Sequence, residues 1–153
     1  MKTPLTIEME TSLYQYCIEQ GGIVVEEVTM PDDHGIVDTL SCLTKFDGTR
    51  EWRCYELKVS KADFRSTAKL SFVGNYNYFV LPQKLFDEVK AEIPTGIGVL
   101  VYRPYGIAEE MPASGTFIRS KIYKQKSTLY SKIMRICDKS SKLDACQQSH
   151  WSE

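Results

Sequence analysis

The sequence predicts an α/β domain in which a central mixed β-sheet is flanked by helices. Three observations lead there. Runs rich in β-branched and aromatic residues recur at 23–28, 36–45, 50–59, 76–81 and 97–102, bounded by Gly, Pro and Asp clusters. Segments of helical apolar spacing alternate with these runs, the order expected of a sheet covered by helices. One connection, at 46–49, is too short for a crossover and makes its two strands antiparallel. The stretch from 61 to about 72 can serve as a crossover between parallel strands.

The elements follow in order. Residues 6–20 read as a helix, with Ile7, Leu13, Cys17 and Ile18 near one stripe and Gly21-Gly22 as its stop. Ile23 to Val28 is a strand, and Pro31-Asp32-Asp33-His34-Gly35 a loop. Strands at 36–45 and 50–59 surround Phe46-Asp47-Gly48-Thr49, a hairpin signal. Ser60, with Asp63 three residues on, forms an S-x-x-D capping box opening a helix to about residue 72. Tyr76 to Leu81 is a strand ended by Pro82, followed by a short helix carrying Leu85, Phe86 and Val89. Ile97 to Tyr102 is another strand. Residues 103–117, with Pro104, Gly106, Pro112 and Gly115, predict loops and a short edge strand. A basic helix at about 120–138 and a frayed polar tail complete one domain spanning 1–153. The αβββαβ order runs through its centre.

A chain of 153 residues suits one domain, and its 42% apolar and 25% charged content argue against disorder. The net charge of −1 gives no global basic field. Charge is uneven, however: Arg119, Lys121, Lys124, Lys126, Lys132, Arg135, Lys139 and Lys142 face the lone acid Asp138 across 118–142. That asymmetry suits a polyanion; the plainer alternative is a solvated helix face. Five cysteines, an odd number with no C-x-x-C pair, and two histidines disfavour a structural zinc site. Reduced thiols in a cytoplasmic protein are the simplest account. No signal peptide is expected, nor any run near the ~18 apolar residues of a membrane span.

Chemistry concentrates on the hairpin. Trp52, Cys54, Glu56 and Lys58 share one face of their strand; Ile36, Asp38, Leu40 and Cys42 share a face of the preceding one. A carboxylate in such apolar company is costly without compensation, which a metal ion or a lysine would supply. Whether the two faces coincide depends on the loop. A two-residue Asp47-Gly48 turn sets Asp38 opposite Leu57, with the acids on opposite sides. A three-residue loop, Phe46-Asp47-Gly48 with Gly48 left-handed, sets Asp38 opposite Glu56. In that register the carboxylates repel unless a cation lies between them. Mg²⁺ takes one or two carboxylates plus waters and phosphate oxygens, so Asp38, Glu56 and the backbone carbonyl of Leu57 would suffice. Lys58 would then orient or deprotonate a water, or stabilise charge on a phosphate. The purely structural alternative is an Asp38–Lys58 ion pair at the end of the sheet.

Gly35-Ile36-Val37-Asp38 followed by Tyr55-Glu56-Leu57-Lys58-Val59-Ser60 resembles the D…(D/E)-x-K signature of the PD-(D/E)XK nuclease superfamily. The stretch from Glu56 to Arg65, with Lys69, Asn77 to Pro82, Ile93-Pro94 and Gly96 to Leu100, is similar to the MmcB-like DNA-repair group within it. The similarity covers roughly residues 35–103. It implies a restriction-endonuclease-like αβββαβ core that cleaves DNA with Mg²⁺ or Mn²⁺, with Asp38 and Glu56 as metal ligands and Lys58 as the catalytic lysine. Val37 stands where the signature has Pro. The supporting acid of the first helix has three candidates, Glu8, Glu10 and Glu19, with Glu8 slightly favoured.

Lys61, Arg65 and Lys69 recur every fourth residue along one helix stripe, and Ser60 and Lys61 at its start would meet a phosphate. Lys69 is the best DNA contact of the three, with Arg65 better read as a solvated residue. His34 reads as an ordinary loop histidine, and Tyr76, Tyr78 and Phe79 as sheet and core residues. The expected partner is DNA, contacted by Ser60, Lys61, Lys69, Lys121, Lys124 and Lys126; no membrane is involved, and a homodimer is one assembly open to such a domain. Two functions compete: a metal-dependent DNA nuclease in repair, restriction or mobile-element processing, and a non-catalytic module that keeps the fold and grips DNA or a protein. The intact Asp38, Glu56 and Lys58 favour the first.

Overall fold

The computed structural model describes residues 1–30, 34–66 and 70–114. All of them fall within Met1–Ile118, the first of two units into which the chain divides, the second being Arg119–Glu153. The helix expected at 120–138, and the tail after it, lie outside the described residues. The elements are α1 (Pro4–Glu19), β1 (Ile23–Thr29), β2 (Ile36–Thr44), β3 (Arg50–Leu57), α2 (Lys61–Phe64), β4 (Tyr76–Pro82), α3 (Gln83–Val89), a 3-10 turn (Lys90–Glu92), β5 (Gly98–Arg103) and β6 (Gly106–Met111). The strands form one sheet in chain order. The β3–β4 and β4–β5 pairs are parallel and the rest antiparallel. The chain is thus α/β with a mixed sheet flanked by helices, as its sequence predicts.

Each face of the sheet has its own core. On one, α1 lays Met9, Leu13 and Cys17 against Val24, Tyr55, Leu57, Tyr78, Val80 and Leu100. On the other, Leu85, Phe86 and Val89 of α3 meet Phe79, Leu81, Val99 and Val101. Burying each of the larger aliphatic side chains contributes about 1.5–3 kcal/mol. The stripe on α1 differs from the one expected, because Ile7 and Ile18 are 52% and 41% exposed. Met9, Leu13 and Cys17 are spaced by fours, and that row is the one facing the sheet. The helix also begins earlier than expected: the Thr3 hydroxyl accepts from the Thr6 N–H at 3.2 Å, and Pro4 fills the first turn, where its missing N–H costs nothing.

The hairpin between β2 and β3 resolves the register. Lys45 N–H donates to Thr49 O at 2.7 Å, and Gly48 N–H to Lys45 O at 2.9 Å, so three residues form the loop. Gly48 has φ +83°, a left-handed conformation suited to glycine. Asp47 Oδ1 ties the turn by accepting from the Thr49 N–H and hydroxyl at 2.9 and 2.6 Å. The ladder then pairs Cys42 with Trp52, Leu40 with Cys54 and Thr39 with Tyr55. On the other side of β2, Glu26 pairs with Thr39 and Val28 with Val37; Glu27 between them has φ +52° and no ladder partner.

The second helix is shorter than expected, ending at Phe64 rather than near residue 72. Its start is as predicted in part: the Ser60 hydroxyl accepts from the Asp63 N–H at 3.1 Å, and Asp63 Oδ2 accepts from Val59 N–H at 3.1 Å. Its end is a packing consequence. Phe64 and Phe72 both lie 5.0 Å from the Phe79 ring, centroid to centroid. On one continuous helix those residues would stand about 12 Å apart along the axis and would not both meet that ring.

Gly98 shows how closely the α1 face is filled. A Cβ there would lie 2.5 Å from two ring carbons of Tyr78 and 2.7 Å from the Ala113 nitrogen. That ring is stacked on Tyr55 at 5.3 Å, which restricts its retreat. Gly98→Ala should therefore destabilise the protein by about 1–3 kcal/mol, the usual cost of overpacking. It should appear as a lower denaturant midpoint with an unchanged slope; an unchanged midpoint would mean that the two rings yield freely.

Candidate active site

The hairpin register, continued one pair further, sets Asp38 on β2 opposite Glu56 on β3. Both belong to the α3 face, since Glu56 pairs with Phe79 on β4. Each carboxyl is held by one backbone N–H. Asp38 Oδ2 accepts from Leu57 at 2.8 Å, and Glu56 Oε1 accepts from Ser71 at 3.2 Å. Ser71 is itself fixed, its hydroxyl donating to the His34 carbonyl at 2.5 Å. His34 therefore serves the site through its backbone.

The two carboxyls are close enough that the charge of Asp38 disfavours ionisation of Glu56. Burial, and then the charge of Asp38, pushes the Glu56 carboxyl up to about 8. Burial also raises Asp38, against the Leu57 N–H bond that favours its charged form. Glu56 is the partner that carries the proton, because only 5% of it is exposed and Asp38 opposes its ionisation.

Lys58 is 7% exposed, and its ammonium lies 3.7 Å from Asp63 Oδ1. Asp63 thus takes the place that the purely structural alternative gave to Asp38. The ammonium still favours the charged form of both acids through its field. The backbone of Lys58 is anchored as well, its N–H donating to Val80 O at 3.1 Å.

Of the first-helix acids, Glu10 is the one whose charge reaches Asp38. Glu8, the favoured candidate from the sequence, instead accepts from the Tyr102 hydroxyl at 3.1 Å. With Met9 facing the sheet, Glu8 and Glu10 fall on opposite flanks of the buried row, and Glu10 is on the β2 side. Recognising Met9 as core was the missing signal. Ser71 carried no sequence signal, and Asp63 was legible as a cap but not as the partner of Lys58.

The predicted DNA contacts divide. Ser60 caps α2, and Lys61 pairs with Glu88 at 3.5 Å. Arg65 makes a two-pronged pair with Glu92 at 2.9 and 2.8 Å, in keeping with a surface role. Lys69, Lys121, Lys124 and Lys126 lie outside the described residues. Cys17, Cys42 and Cys54 are buried. Among the described residues no group of three or more His, Cys, Asp or Glu is placed to hold a metal ion, and no helix is long and apolar enough to cross a membrane.

Fold and site together define an α/β domain with an acid pair, Glu56 buried and Asp38 half-buried, at one end of a mixed sheet. No protein-family model matches the chain, and no curated protein matches it. Among solved structures it is similar to the SPO1766 protein of unknown function from Silicibacter pomeroyi. The TM-score is 0.61 at 19% identity, over 93% of this chain and 90% of that one. That likeness speaks to the fold.

The raised Glu56 carboxyl gives stability a pH dependence. The folded chain holds a proton on Glu56 up to about pH 8, whereas the ordinary carboxyl value is 4.5. The folded state binds more protons between those values, so stability present below the lower one is lost as pH rises through the upper. Glu56→Gln removes this dependence. Its melting temperature relative to wild type, measured in EDTA, should climb by several degrees from about pH 5 to about pH 9. A constant difference across that range would show that Glu56 is not held protonated in the folded chain.

Proposed function

We propose that this protein is a divalent-metal-dependent deoxyribonuclease of the PD-(D/E)XK type, hydrolysing DNA phosphodiesters in repair, restriction or mobile-element processing. The observation that carries the reading is the hairpin register, which aligns Asp38 with Glu56 and is followed at once by the buried ammonium of Lys58. The donor set fits Mg²⁺ or Mn²⁺. Buried Glu56, whose surroundings favour its protonated form, and half-buried Asp38 opposite it form a site where a doubly charged cation can replace a proton, and these hard ions need few protein oxygens. Asp38, Glu56 and the Leu57 carbonyl would hold the ion. Glu10 supports them with negative charge. When bound, the ion supplies Lewis-acid activation of the phosphodiester.

The chain's own residues do the rest. The Leu57 and Ser71 N–H groups fix the two carboxyls, so little reorganisation is needed when charge appears. Asp63 restrains the Lys58 ammonium beside them. From there Lys58 Nζ can orient the attacking water, exchange a proton with it, or stabilise charge on the phosphate oxygens.

A second reading, a non-catalytic module that grips DNA or a protein, is favoured by one observation: no third acidic ligand joins the pair among the described residues. Incubation with labelled nicked, flapped, branched and duplex DNA in Mn²⁺, Mg²⁺ or EDTA separates the two. Cleavage that EDTA abolishes supports the nuclease; binding without any cutting supports the module.

Lys58→Met keeps most of the aliphatic stem, so the fold should survive. Mn²⁺ binding should persist or tighten, while cleavage should drop by roughly 10²-fold or more. Cleavage at the wild-type rate would remove Lys58 from the mechanism. The basic segment 119–142 is expected to neutralise phosphates without sequence preference. Charge reversal at Lys121, Lys124 and Lys126 should lower duplex affinity and reduce the log–log salt slope by about 0.9 for each phosphate no longer neutralised. An unchanged slope would make the segment a solvated face.

A further inference from the structure

A cavity of about 310 Å³ opens where β3 and β4 end, beginning at Val59, the residue after Lys58. Leu5, Val59, Pro82 and Leu85 make its apolar part; Ser60, Lys61, Lys84 and Glu88 make its polar rim. We infer that this cavity accepts one unpaired nucleotide of a DNA strand, its base against the apolar residues and its phosphate on Lys84 and Lys61. The inference rests on the nuclease reading of the adjoining acid pair, and it deepens that reading by naming the form of DNA preferred.

Three features of the cavity carry it. The first is charge. Among the described residues Lys84 has no ion-pair partner, while Glu88 is already engaged by Lys61 at 3.5 Å. The rim therefore offers an anion one uncommitted ammonium and a second whose carboxylate partner is half-exposed and exchangeable. The second is shape. The volume is at the small end of the ~300–1,000 Å³ typical of small-ligand sites. A duplex keeps its bases stacked inside and presents only its backbone, which would leave the apolar part uncovered. An unpaired nucleotide can turn its base onto Val59, Pro82 and Leu85. The third is continuity, since Val59 and Ser60 of the cavity follow Lys58 directly in the chain. A larger cavity of about 520 Å³, lined by Tyr14, Tyr16, Glu19 and Tyr105 among others, has no cation in its lining and does not suit a phosphate.

The test is binding in EDTA, where no cleavage interferes. Fluorescence anisotropy compares a duplex bearing a single-stranded overhang with a blunt duplex of equal phosphate number. Wild type should bind the overhang DNA more tightly. Lys84→Glu should weaken that binding by roughly tenfold, Lys84→Gln by less, and both should affect the blunt duplex much less. Thymidine 5′-monophosphate should shift the methyl resonances of Val59 and Leu85. Equal weakening on both DNAs, or unmoved methyl resonances, would overturn the inference. The two proposals fail separately. Mn²⁺-dependent cleavage with no preference for unpaired ends overturns this one and leaves the nuclease. Lys84-dependent binding to overhangs by a protein that cuts nothing supports this one and overturns the nuclease.

Discussion

A three-residue loop closes the β2–β3 hairpin, with Gly48 left-handed at its third position. Its length fixes a parity. One residue fewer would turn every side chain of β3 to the opposite face relative to β2. Trp52 and Cys54, both buried, would then leave the sheet face they share with Glu56, and Arg53 would take their place. Core packing therefore enforces the alignment of Asp38 with Glu56. The acids are carried into opposition by the hydrophobic residues along the same strands.

Two carboxyls forced together in this way need support from elsewhere in the chain. Leu57 supplies an N–H from the strand itself, and Ser71 supplies one from the segment after α2. Ser71 is in turn tied to the loop before β2 through the His34 carbonyl. Burial of an acid without such donors would cost several kcal/mol, and here burial and the Asp38 charge favour the protonated form of Glu56. Three separate stretches of chain converge on one small polar site within an otherwise apolar layer.

The strand order and the hairpin were legible in the sequence because they rest on local signals: β-branched runs, a Gly in a short loop, Pro82 after an apolar run. That Asp38 and Glu56 could share a face was legible from strand alternation, while the loop length that decides it stayed open between two registers. What escaped depends on packing between distant segments. A capping box announced α2, yet the demand of Phe79 for both Phe64 and Phe72 ended it early. Asp63 satisfied its cap role and so concealed its second role beside Lys58. The choice between Glu8 and Glu10 depends on which apolar residues of α1 face the sheet, and the apolar spacing of the helix alone does not place Met9 in that row.

The kink at Glu27 bears on solubility under stress. A sheet with open margins is a template onto which another chain can add a strand, the first step toward aggregates. β1 and β6 are the two margins. On β1, the positive φ of Glu27 bends the backbone out of regular extension midway, beside the acidic Glu26. On β6, Glu109 and Glu110 sit together, and a register shift between Val99 and Leu100 interrupts its pairing with β5. An incoming strand would meet acidic side chains at either margin, a left-handed residue on β1 and a shifted register on β6, so the sheet of the described residues is discouraged from growing.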